Sequence, residues 1–275
     1  MEILLNAQGN PFFDEVQRGL AAALDDYSDF PVQAHATLAR GYHLESQIAQ
    51  LDAYLEAPPA GLILTPLNHP AVAQRLDALI RAGCPVVALN SDVEGCGRLA
   101  YVGCDYRRSG QTAAQMTGLI TGGTARLLLV TGSLKVMGHN QRVYGFSRVA
   151  RRDFPHLEIV DVVENNDDDA RSFEEVTGAL EANPAIDAVF FCAGGVAGGV
   201  DAAKRHGVKT IVVCDATPAV RTLLQSGQVQ AAIGQQPYRQ GYDGMKTLLA
   251  YLLFGQKPAS EHLYMENEIF VKYNV

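Results

Sequence analysis

The most constraining feature of this chain is a twice-repeated alternation of short apolar runs with segments of helical period. Apolar stretches suited to buried strands occur at 2–5, 32–36, 61–64, 86–89 and 99–102, with amphipathic segments at 13–25, 45–57, 70–81 and 108–121 around them. The rhythm then restarts. Strands are predicted at 126–130, 158–163, 188–191, 210–214 and 231–234, with helices at 141–152, 170–182, 196–206 and 218–226. A last helix, 238–253, precedes a final extended segment, 266–273. Strand-helix alternation of this kind predicts parallel, doubly wound α/β sheets, and its restart predicts two lobes of similar build. A length of 275 residues, more than one core comfortably fills, agrees.

Composition narrows the function classes. With 48% hydrophobic and 19% charged residues the chain reads as folded and globular, and no apolar run is long enough for a membrane helix. The opening MEILLNAQGNPFF has neither a basic start nor a long apolar segment ending in small residues, which favours a cytoplasmic location. Five cysteines, an odd number without C-x-x-C spacing, argue against a disulfide framework and a zinc site, and fit small buried hydrophobes in a reducing compartment. A formal charge of −8 without a basic stripe argues against direct nucleic-acid binding.

In doubly wound sheets ligands collect at the carboxyl ends of strands, so the loops after 5, 89, 130, 191, 214 and 234 are the places to search. After the first strand stands Asn10-Pro11-Phe12-Phe13, an amide beside two aromatics at a helix start. Sugars need both chemistries: ring faces lie on aromatic planes, and hydroxyls need fixed donors and acceptors. The competing reading is a turn followed by core phenylalanines. Asn90-Ser91-Asp92 and Asp215 follow two further strands, where each carboxylate could instead cap a helix or turn. Gln235 follows another, with an exposed loop as its alternative. Arg142 opens the helix after the 131–140 loop, within reach of ligand oxygens unless it is an ordinary surface arginine.

Taken in order, Asn10-Pro11-Phe12-Phe13, Tyr101-Val102-Gly103-Cys104-Asp105 with Gly110-Gln111-Thr112-Ala113, Arg142-Val143-Tyr144-Gly145-Phe146, and Asp215 with Gln235 resemble the effector-binding core of the LacI/GalR repressor family and its periplasmic sugar-binding relatives. The resemblance spans the whole chain and implies a periplasmic binding protein type I-like fold. On it, Asn10, Phe12, Phe13, Asn90, Asp92, Arg142, Asp215 and Gln235 line a ligand cleft between the lobes. The lobes it implies are 1–104 plus 237–263, and 105–236 plus 264–275. One departure is Phe191-Cys192-Ala193-Gly194-Gly195, where many relatives place an asparagine. The ligand could therefore be smaller, less hydroxylated or not a sugar. A second is that no helix-turn-helix precedes Met1, so DNA would be reached only through a segment outside this chain.

Other constellations point nowhere specific. Seven histidines are spread singly, read as surface residues, and form no metal motif. Gly122-Gly123 precedes a strand and reads as a turn. Gly194-Gly195 through Gly198-Gly199 could offer a helix N-terminus to an anion but lacks the Lys-Ser/Thr pair of a phosphate loop. The acidic run 165–169 reads as a solvated loop, and Ser133 has no nucleophile elbow. The sequence thus predicts a binder of a sugar or polyol with no cofactor, no metal, no catalytic residue and no membrane partner. Its leading reading is the ligand-sensing domain of a LacI/GalR-type regulator; the alternative is a periplasmic solute-binding protein of a sugar transporter. The regulator reading implies a homodimer, with Leu76, Leu79 and Ile80 as candidate contacts if they are not core.

Overall fold

The computed structural model describes residues 1–6, 10–134 and 136–275, and the chain divides into two compact units. The first comprises Met1–Cys104 and Gln236–Glu266, the second Asp105–Gln235 and Asn267–Val275.

In the first unit the elements run β1 (Glu2–Leu5), α1 (Phe12–Asp25), β2 (His35–Leu38), α2 (Leu44–Glu56), β3 (Leu62–Leu64), α3 (Pro70–Arg81), β4 (Val86–Leu89) and β5 (Ala100–Cys104). In the second they run α4 (Tyr106–Ile120), β6 (Thr124–Thr131), α5 (Met137–Asp153), β7 (His156–Glu164), α6 (Asp169–Ala182), β8 (Ala188–Phe191), α7 (Val196–Arg205), β9 (Thr210–Cys214), α8 (Pro218–Gln225) and β10 (Ala231–Gly234). The chain then returns to the first unit through α9 (Pro237–Phe254) and β11 (His262–Met265), and ends in the second with β12 (Glu268–Phe270). The sheets have matching orders, β11-β5-β4-β3-β1-β2 and β12-β10-β9-β8-β6-β7. Every pairing is parallel except β10 with β12.

Short apolar strands are what a sheet covered on both faces requires, because successive side chains enter opposite layers. In β8, Val189 and Phe191 pack with Leu128, Ile211 and Val213 on the α6/α7 side. Ala188 and Phe190 pack with Leu127, Leu129 and Val212 on the α4/α5 side. In the first unit Leu62 and Leu64 join Leu51, Tyr54, Val72, Leu76 and Leu79. Leu76 and Leu79 are therefore core, fully buried, and Ile80 packs against them. Their place as candidate dimer contacts is corrected accordingly: the apolar stripe of α3 faces its own sheet.

Several boundaries differ from the sequence reading, mostly where pairing outweighs local pattern. β2 begins at His35, since the register Glu2↔His35 to Leu5↔Leu38 selects which residues of that stretch extend. As an edge strand it leaves all four residues exposed. The expected final extended segment, 266–273, contains β12, and a further strand, β11, precedes it. Tyr264 and Met265 pair with Gly103 and Cys104, so β11 stays in the first sheet through Met265, past the expected boundary at 263. Gln236 likewise belongs to the first unit.

Close helix contacts repeat in both units. A Cβ on Gly19 of α1 would strike the carbonyl of Tyr238, and one on Gly241 of α9 that of Val16. In the second unit Gly145 of α5 stands against the carbonyl of Arg107, and Gly110 of α4 against that of Arg142. Glycine at these four places lets helix backbones touch. The repeat also sets a register: α1 matches α5, with Phe13, Val16 and Gly19 corresponding to His139, Arg142 and Gly145.

Candidate functional site

In the first unit the loop after β1 includes residues 7–9, outside the described residues, and resumes at Asn10. Asn10 Oδ1 accepts the Phe12 N–H, and its carbonyl the Phe13 N–H, each at 3.0 Å. This side-chain turn is what starts α1. Phe12 and Phe13 meet edge to face, centroids 5.3 Å apart, and are 6% and 4% exposed. At the end of β4, Asn90 takes the left-handed conformation, φ 63°, and its Nδ2 donates to Gln240 Oε1 of α9 at 3.2 Å.

Asp92 is engaged differently. Arg98 donates to both its carboxylate oxygens, from Nε at 2.6 Å and Nη2 at 2.5 Å, while the Val93 N–H reaches Oδ1 at 2.8 Å. His262 Nε2 of β11 lies 3.6 Å away. The two-pronged ion pair makes Asp92 a brace between the loop after β4 and the sheet edge.

The second unit gathers the charges. α5 begins at Met137, earlier than the sequence suggested, so Arg142 sits in its second turn and is 3% exposed, no surface arginine. Its Nη1 donates to the Cys192 carbonyl past β8 at 2.7 Å, and its guanidinium lies 4.7 Å from the Tyr106 ring centre. Asp215, half-buried, follows β9 in the left-handed conformation, φ 67°. Gln235 Nε2 donates to Asp215 Oδ1 at 2.7 Å, and Gln235 is buried instead of lying in an exposed loop. Burial pushes the Asp215 carboxyl above its ordinary range; the Arg142 charge and the Gln235 hydrogen bond oppose this, and Asp167 adds to it. Arg142, Asp215 and Gln235 thus form one electrostatic group, reached from α5, β9 and β10.

Two residues that the sequence reading passed over complete it. His139, set aside with the surface histidines, is buried in the first turn of α5. Its Nδ1 accepts the Ser133 N–H at 3.1 Å. Burial pulls its pKa down, the Arg142 charge acts in the same sense, and Asp167 resists. The second is Asp167, from the acidic run. Its Oδ1 accepts the Gly194 N–H at 2.9 Å, and Asp169 Oδ1 the Gly198 N–H at 3.1 Å. Carboxylates of this chain therefore take the amides at the start of α7, which corrects the rival anion site at Gly194-Gly195, while Asp168 and Asp169 stay exposed and Asp168 caps α6, as a solvated loop before a helix should. Buried Asn165 ties the same corner, donating to Ser172 Oγ at 3.1 Å and the Gly194 carbonyl at 2.9 Å. The helix register held the missed signal for His139, because it stands where Phe13 stands in α1.

Burial pushes the Cys214 thiol up to about 11 against the pull of Arg142, and holds the Cys192 thiol well above its ordinary value, so both stay protonated at neutral pH. Among the described residues no group of three or more His, Cys, Asp or Glu could hold a metal ion. No described helix is long and apolar enough to cross a membrane.

The model of the periplasmic binding protein domain matches residues 1–257. The chain belongs to this periplasmic binding protein family. No curated protein sequence matches it. Among solved structures, a glucose-galactose binding protein of Geobacillus stearothermophilus, GanP, is 22% identical, with all of this chain and 98% of that one covered at a TM-score of 0.90. An ABC transporter solute binding protein of Burkholderia graminis, in complex with D-arabinose, is 20% identical over 99% and 95% at 0.92. An ABC transporter periplasmic solute binding protein of Actinobacillus succinogenes with bound D-allose is 18% identical over 98% and 96% at 0.89. At these identities the likeness speaks for the fold. The family model supports the periplasmic binding protein side of the resemblance and does not support the LacI/GalR side.

Proposed function

We propose that this member of the periplasmic binding protein family is the sugar-binding component of a membrane transport system, taking up a small neutral sugar or polyol without changing it. The observation that carries the reading is the group formed by Arg142, Asp215 and Gln235 at the carboxyl ends of the second sheet. It offers a fixed cation, a carboxylate and an amide, the set that hydroxyl groups need as donors and acceptors. Within the first unit, Asn10, Phe12, Phe13 and Asn90 gather the matching chemistry, amides for hydroxyls and aromatic rings for a C–H face. Asp92 has the lesser part, since Arg98 already engages both its oxygens. The sugar-bound neighbours support the ligand class.

The test is a thermal-shift screen of the full chain with pentoses, hexoses, polyols and acidic metabolites, followed by recovery of the bound compound. A ligand of the folded state raises Tm with the logarithm of its concentration. A neutral sugar that stabilises the chain and is recovered unaltered supports the reading. Conversion of that sugar would make the protein an enzyme and overturn it.

A further inference from the structure

The second unit carries a charge pattern at odds with the chain as a whole, whose formal charge is −8. Helix α4 holds Arg107 and Arg108 and no acidic residue, and α5 holds Arg148, Arg151 and Arg152 with Asp153 as its one acid. All five arginines are exposed, and among the described residues only Arg152 of the five makes an ion pair, with Asp153. The contact between the two helices joins the sets. Arg107 lies 5.6 Å from the ring centre of Tyr144, and Arg148 and Arg151 continue from Tyr144 along α5 a turn at a time. At the far end a Cβ on Gly118 would strike the ring of Phe154, so the close of α4 lies beside the close of α5. There α4 ends in Leu119 and Ile120, 65% and 38% exposed, and Tyr144 is 52% exposed. Arginines and apolar side chains share one open face.

Packing does not ask for this face. By the register of the glycine contacts Arg151 and Arg152 correspond to Asp25 and Asp26 of the first unit, Arg148 to Ala22 and Arg107 to Tyr238. Read along the chain the arginines form no stripe, which is why the sequence predicts no membrane partner; the fold sets them side by side. We propose that the α4/α5 face of the second unit docks on an anionic lipid surface, with its arginines at the phosphate headgroups and Leu119 and Ile120 entering the interface. Each arginine held near such a surface strengthens binding about fivefold, and buried apolar area adds to it. The apolar pair favours lipid over nucleic acid, whose backbone offers phosphates without an apolar layer. The inference stands apart from the sugar-binding reading.

The experiment is co-sedimentation of the full chain with vesicles of phosphatidylcholine alone, and with vesicles of equal parts phosphatidylcholine and phosphatidylglycerol, at low and at high salt. The wild type is expected to pellet with the anionic vesicles only, and to be released by salt. Arg148→Gln with Arg151→Gln should weaken this binding about tenfold to fiftyfold, and Leu119→Ser about tenfold. These positions are exposed, so the melting temperature should stay at its wild-type value. The control is Arg239→Gln with Lys246→Gln on α9, which lowers the net charge equally and should leave vesicle binding unchanged. If the α5 double variant does not fold, Arg107→Gln with Arg108→Gln gives the same readout. Absence of binding, equal binding to both vesicles, or anionic-vesicle binding that the arginine variants leave unchanged would overturn the inference. Tighter binding of duplex DNA, or self-association of the chain, lost in the α5 variant, would assign the face to those partners and overturn it too.

Discussion

Asn90 and Asp215 hold the same post in the two units: each stands one residue past the fourth strand, in the left-handed conformation, with its backbone N–H donating to the neighbouring strand. The acceptors are the carbonyls of Val102 and Ile233, both at 2.9 Å. Side chains other than glycine rarely adopt this conformation, and asparagine and aspartate tolerate it best. Backbone strain of this kind gathers where a side chain must be aimed. One post carries an amide, the other a carboxylate.

Replacing Asp215 tests that post. Asp215→Ala removes a charged hydrogen-bonding partner worth about 1.5–3 kcal/mol, so affinity for the sugar should fall roughly tenfold to a few hundredfold by calorimetry. Asp215→Asn keeps the conformation and an acceptor for Gln235, and should bind more weakly than wild type but better than the alanine variant.

The same carboxylate makes apo stability depend on pH. Its folded pKa is raised, chiefly by burial, so its favourable contribution is full below the unfolded value of about 3.9 and is lost as pH rises through the folded value. Asp215→Asn should therefore melt higher than wild type at pH 7 without ligand, with the gap closing towards pH 4. A gap that widens on acidification would contradict the electrostatic account.

Much of this was legible beforehand. Strands such as 86–89, 188–191 and 210–214 are bounded by turn residues and buried on both faces, so pattern and pairing agree. The sequence misjudged places where tertiary contacts decide. Arg142 has the look of a surface arginine until Cys192 and Tyr106 enclose it. Asp92 matches a ligand-contact position by resemblance, yet the pattern holds no hint that Arg98, six residues on, would clasp it. His139 carries no motif, and only the duplicated helix register exposes it.

Arg142→Ala removes a buried cation whose charge acts on the Asp215 carboxyl. Loss of one partner from a buried charge group costs about 3–5 kcal/mol, which urea unfolding should register alongside loss of sugar binding. Arg142→Lys should restore little, because an ammonium cannot reproduce both the stacking on Tyr106 and the fixed fork.

Leu76→Ala separates core from interface. With Leu76 fully buried in the first unit, the change should cost about 2–5 kcal/mol on unfolding and leave the sedimentation behaviour unchanged. A shift in oligomeric state without loss of stability would return α3 to the role of a contact surface.

Gly145→Ala probes the helix contact that sets the position of Arg142. Its Cβ would meet the Arg107 carbonyl, so α5 must move from α4 at a cost of about 1–3 kcal/mol. Sugar affinity should fall with it, measured at a temperature where the variant remains folded.

The most direct measurement is calorimetric titration of the full chain with a neutral monosaccharide and, separately, with its phosphate ester. A neutral ligand that uses Asp215 and Arg142 together is predicted to bind one to one with a Kd in the micromolar range or tighter, on the order of −8 kcal/mol. The ester, which sets a phosphate against the carboxylates of Asp167 and Asp215, should bind far more weakly. Tight binding of the ester with none of the neutral sugar would contradict the account.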